Sequence, residues 1–66
     1  MMTREDFYEY VLSFYNGVDG IYKDVDATLA EVVSATGKLE RKFGAEVCYD
    51  SVDRERVRDF ILEGRK

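Results

Sequence analysis

Apolar residues recur every three to four positions in three stretches of this chain, and each stretch is bounded by residues that start or stop a helix. In the first, Phe7, Val11 and Phe14 repeat at helical spacing behind Thr3, whose hydroxyl can accept the amide three residues on. Met2 and Phe7 stand where a hydrophobic staple holds the chain's entry into a helix. Asn16-Gly17 supplies residue types that tolerate a left-handed terminating turn, so a helix is predicted near 3–16.

The second stretch carries Leu29, Val32, Val33, Thr36, Leu39 and Phe43, with Asp26 as the expected cap, which predicts a helix near 26–43. A break at Gly37 stays open, because glycine weakens a helix interior by about 1 kcal/mol relative to alanine and Glu40 falls beside Val33 on the apolar side. In the third, Val57, Phe60 and Ile61 follow a capping Asp53, with Val52 and Val57 in staple positions, predicting a helix near 53–63 that ends at Gly64. Residues 45–49 could run extended, since Val47 and Tyr49 alternate with small or polar neighbours, yet one strand has no obvious mate. The expected fold is all-α, a single small three-helix domain over residues 1–66.

Composition agrees with an ordered core: 45% of the 66 residues are hydrophobic and 36% charged, outside the range of disordered chains. The absence of proline and the scatter of five glycines favour helices joined by short turns. One cysteine, Cys48, forms no internal disulfide, and the lack of histidine removes the commonest zinc ligand and acid–base group. No metal and no cofactor is expected. No apolar run nears the roughly 20 residues that span a bilayer and no signal-peptide pattern opens the chain, so the expectation is a cytoplasmic protein with no membrane partner.

The net charge of −4 is uneven: residues 1–37 hold two basic and seven acidic side chains, whereas residues 38–66 hold eight basic and seven acidic. Acid gathers around residues 16–26, "NGVDGIYKDVD", which invites comparison with a calcium loop. Aligning Gly20 with the sixth loop position puts Asp19 fifth and Asp26 twelfth, but Tyr15 first and Gly17 third. Two leading ligands are missing, and a helix stop, a turn and a helix cap account for the same residues without an ion.

"ATLAEVVSATGKLERKF" resembles a DNA-binding helix-turn-helix, with Gly37 as the turn and Lys38, Arg41 and Lys42 as groove-facing cations. It departs from that pattern at Val33, where a small residue lets two helices cross, and at Lys38, where the turn is usually apolar. A variant of this reading places Arg54, Arg56 and Arg58 on the recognition helix. With Val57, Phe60 and Ile61 turned inward, however, the outermost stripe there is Glu55, Asp59 and Glu63, which would meet phosphates with like charge. Nucleic-acid binding through Lys38, Arg41, Lys42, Arg54 and Arg58 is therefore the alternative reading, and an acidic nucleic-acid mimic the third. Catalysis finds no legible basis: Ser13, Ser34 and Ser51 have no histidine to activate them, and the glycines match no phosphate or dinucleotide fingerprint.

The front of the chain holds more aromatic surface than a small core needs, with Phe7, Tyr8, Tyr10, Phe14, Tyr15 and Tyr22 among its nine aromatics. On a helical wheel the apolar residues from Phe7 to Tyr15 span about 200°, against an arc little wider than 100° for an ordinary surface helix. If Phe7, Val11 and Phe14 face the core, Tyr8, Leu12 and Tyr15 form a second, outward stripe, and tyrosines suit binding surfaces. The alternative is that residues 18–24 cover Tyr8 and Tyr15. The expected function is a non-enzymatic protein–protein interaction module, an accessory regulator or inhibitor of the kind carried by viruses and mobile elements. Its partner is a protein or a second copy, bound through Tyr8, Leu12 and Tyr15.

Overall fold

The computed structural model describes residues 2–16, 22 and 25–66 of the chain. Among these residues three helices carry the architecture: α1 spans Arg4–Asn16, α2 spans Leu29–Phe43 and α3 spans Ser51–Gly64, with a 3-10 turn at Gly44–Glu46. The predicted all-α, three-helix class is the observed one, and no strand occurs among the described residues, so residues 45–49 do not pair.

The start of α1 follows the sequence: the Asp6 amide donates to Thr3 Oγ1 at 3.1 Å. The other two starts differ from expectation. Thr28, not Asp26, caps α2, in a capping box where the Glu31 amide donates to Thr28 Oγ1 at 3.2 Å and the Thr28 amide donates to Glu31 Oε1 at 3.1 Å. Asp26 instead takes a left-handed backbone, φ 44°, that turns the chain into the cap. Asp50, not Asp53, caps α3, accepting the amides of Val52 and Asp53, so Val52 stays exposed and makes no staple.

Helix α2 runs unbroken through Gly37. Its buried face is Val32, Ala35, Thr36 and Leu39, a narrower stripe than the apolar letters suggested, because Leu29 is 55% and Val33 38% exposed. Thr36 is accommodated in the interior by donating its hydroxyl to the Val32 carbonyl at 2.8 Å. Gly44 then ends the helix at φ 57°, a conformation that favours glycine, with its amide on the Glu40 carbonyl.

The core joins Phe7, Val11 and Tyr15 of α1 to Val32, Ala35 and Leu39 of α2 and Val57 and Ile61 of α3, closed at one end by Val25 and Ala27. Arg4 pairs with Glu40 at 2.9 Å at one end of the α1–α2 seam, and the Tyr22 amide returns to the Phe14 carbonyl near the other, so α1 and α2 run antiparallel. Arg65, just past α3, forks onto Glu31 at the head of α2 with contacts of 2.7 and 3.0 Å, which makes α3 antiparallel to α2.

Candidate functional site

The two flanks of α1 meet different neighbours. On one flank Tyr10 and Phe14 pack edge to face at 5.1 Å, and the Arg54 guanidinium of α3 lies 3.9 Å from the Phe14 ring centre. Arg54 also donates to the Tyr10 hydroxyl at 2.8 Å, and its side chain is only 13% exposed. Arg58 lies over the Tyr22 ring at 5.0 Å, and Tyr22 donates its hydroxyl to Glu55. A desolvated guanidinium on an aromatic face is attracted by the ring quadrupole, so much of the aromatic surplus of α1 is satisfied within the chain.

Tyr15 belongs to the core and not to an outward stripe. It is 3% exposed, with the Tyr22 ring 5.4 Å away. For Tyr15 it is the alternative, cover by the chain that follows α1, that holds, since Tyr22 returns against the last turn of that helix. Burial pushes the Tyr15 hydroxyl up to about 12, and that hydroxyl has no hydrogen-bond partner among the described residues.

The opposite flank of α1 carries Tyr8 and Leu12, both half-buried, and it turns toward α2. On α2, Ala35 and Lys38 lie toward α3, while Leu29 and Val33 lie on the far side, next to α1. Tyr8, Leu12, Leu29 and Val33 therefore share the side of the α1–α2 pair that faces away from α3. Arg4, 5.9 Å over the Tyr8 ring, and Glu40 close one end of this surface. Glu40, which the spacing placed on the apolar side beside Val33, is half-buried, pairs with Arg4 and accepts the Tyr49 hydroxyl at 2.7 Å, which raises that hydroxyl's pKa.

Of the residues of the nucleic-acid alternative, Lys38, Arg41 and Lys42 share the last turns of α2, whereas Arg54 and Arg58 lie on α3. The helix-turn-helix pattern loses its turn because α2 is continuous at Gly37. Arg54 and Arg58 are engaged with aromatic rings, and Arg56 lies 4.0 Å over Phe43 while pairing with Asp53 at 3.3 Å. Lys42 sits over Phe43 and Phe60, and Lys38 reaches toward Gly64, which leaves Arg41 exposed on α2. Glu55, Asp59 and Glu63 form the exposed stripe of α3, as the spacing predicted.

Sequence reasoning named Asp53 as a helix cap and missed its hold on the preceding linker. The residue is 1% exposed and one carboxylate oxygen accepts both the Cys48 amide at 2.8 Å and the Tyr49 amide at 2.7 Å, tying the linker before α3 to the helix. The signal was present in Asp50-Ser-Val-Asp53, a cap with a second acid three residues on. The likeness to a calcium loop falls mostly on residues 17–21, 23 and 24, outside the described residues. Among the described residues no cluster of three acidic, cysteine or histidine side chains could hold a metal, and no helix is long and apolar enough to cross a membrane. Compared with known proteins, the chain matches no family, no curated protein and no solved structure.

Proposed function

We propose that this chain is a small non-enzymatic protein–protein interaction module, an accessory regulator or inhibitor that docks through the α1–α2 flank. The observation that carries the reading is the exposure of Leu29 and Val33 beside half-buried Tyr8 and Leu12. Four large apolar side chains on one side of a 66-residue chain are more than scattered surface hydrophobics, and contiguous apolar area of this kind marks interaction sites. Tyr8 adds the ring-plus-hydroxyl chemistry favoured at binding hot spots, and Arg4 over that ring adds a second such residue type. The acidic first helix supplies the field that orients an approaching partner.

A photo-reactive residue placed at position 33 should crosslink to protein in native lysate or in pure concentrated solution. The same group at position 59, on the acidic stripe of α3, should not. Equal labelling from both positions, or none from position 33 in either setting, would defeat the reading.

A further inference from the structure

Resting on that interaction reading, we infer that the partner is a second copy of this chain, docked flank to flank so that α1 of one copy lies across α2 of the other. Three observations converge on this arrangement. The first is the apolar strip of Tyr8, Leu12, Leu29 and Val33 between the two helices.

The second is the sign of charge along its two edges. Beyond Tyr8 and Leu12 the next positions around α1 are Glu5 and Glu9, both exposed. Beyond Leu29 and Val33 the next positions around α2 are Ala30, Gly37 and Arg41, and the Arg41 guanidinium folds back to 3.4 Å from where a Gly37 side chain would begin. One edge carries two glutamates and the other a single cation, Arg41. A two-fold axis running along the groove places the acidic edge of each copy over the basic edge of its mate, and does so twice by symmetry. A two-fold axis across the groove would set α1 on α1, with acid facing acid, and is disfavoured.

The third observation is register. The Arg4–Glu40 pair puts Glu5 and Arg41 at the same level along the antiparallel helices. A two-fold axis parallel to those helices preserves level, so Glu5 of one copy meets Arg41 of the other.

The size of the face sets the strength. Helices of 13 and 15 residues are about 20 Å long, and at a spacing of about 10 Å they offer roughly 20 Å by 20 Å per copy. That lies below the roughly 1,200 Å² total of a standard stable interface, so the dimer belongs to the weak, transient class.

The test is sedimentation equilibrium of the full chain from about 10 μM to about 1 mM at low salt, with Glu5→Lys and Arg41→Glu variants whose helicity is first matched to wild type. Wild type should dimerise, and each single variant should dissociate about tenfold more readily because it creates two like-charge contacts per dimer. Mixing the two variants should restore association, since the lysine of one then faces the glutamate of the other. Wild type that stays monomeric throughout overturns the inference, as does a dimer indifferent to either swap or a mixture that fails to recover. Crosslinks from position 33 to a different protein, together with a monomeric pure chain, would overturn the second-copy inference while leaving the interaction reading standing.

Discussion

Replacing Asp53 with alanine should cost more than truncating any other surface-adjacent polar side chain, and the structure sets the amount. One carboxylate oxygen accepts two amides, from Cys48 and Tyr49, at 2.8 and 2.7 Å, and the other faces Arg56 at 3.3 Å. A hydrogen bond to a charged group contributes about 1.5–3 kcal/mol. Cys48 is exposed and its amide can find water, which places it at the low end. Tyr49 is half-buried and held at φ 54°, a left-handed conformation that costs a tyrosine about 1 kcal/mol and persists only while something holds it. The loss in Asp53→Ala is therefore about 3 kcal/mol. A domain of this length has about 3–10 kcal/mol in total, so the variant would sit near the edge of folding. Asp53→Asn keeps an oxygen for both amides and should lose about half as much. Urea unfolding followed by far-ultraviolet circular dichroism reads both values, and hydrogen exchange at the Cys48 and Tyr49 amides locates the damage. If Asp53→Ala lay within about 0.5 kcal/mol of wild type, or if Asn proved as costly as Ala, the view that this carboxylate holds the linker would be wrong.

Two further outcomes follow from side chains at opposite ends of the polarity scale. Tyr15→Phe removes a buried hydroxyl that has no partner among the described residues, so it should leave stability unchanged or raise it by up to about 1 kcal/mol; a clear fall in melting temperature would show that the hydroxyl is satisfied after all. Glu31, drawn down to about 2 first by its hydrogen bonds from Arg65 and then by the Thr28 amide, stabilises the fold fully above the ordinary glutamate range and loses that contribution as pH falls toward about 2. Glu31→Gln should flatten the fall of melting temperature across that window, and an identical slope in both proteins would refute the linkage.

The helices were legible because their apolar period is local: Phe7, Val11, Val32, Leu39, Val57 and Ile61 all sit where spacing alone put them. Two caps were legible in principle and displaced in practice. Thr28-Leu-Ala-Glu31 is a capping box, and Asp26 drew the assignment only because it stands at the first acid before the run. Continuity at Gly37 was not legible, because one glycine's cost in a helix is outweighed by tertiary burial on either side of it, at Val32, Thr36 and Leu39. Of the proposed surface, Tyr8 and Leu12 were readable from the width of the apolar arc, while Tyr15 was misplaced and Leu29 and Val33 were assigned to the core. Those errors share a cause: the wheel shows how wide an apolar face is, but not which neighbour covers which part. The Arg54–Phe14 contact joins residues forty positions apart on helices that are not consecutive, a relation that no local pattern encodes.

That same contact bears on how the molecule is taken apart in the laboratory. The head group of Arg54, set against Phe14, Tyr10 and Tyr22, is chemically the guanidinium ion itself. Guanidinium chloride is thus more than a general solvent for unfolded chain here; it is a soluble competitor for the ring faces that join α1 to α3. Urea, uncharged, has no such claim. The usual potency ratio of roughly two between the denaturants should be exceeded for this protein, with the α1–α3 seam the first to open in guanidinium and not in urea.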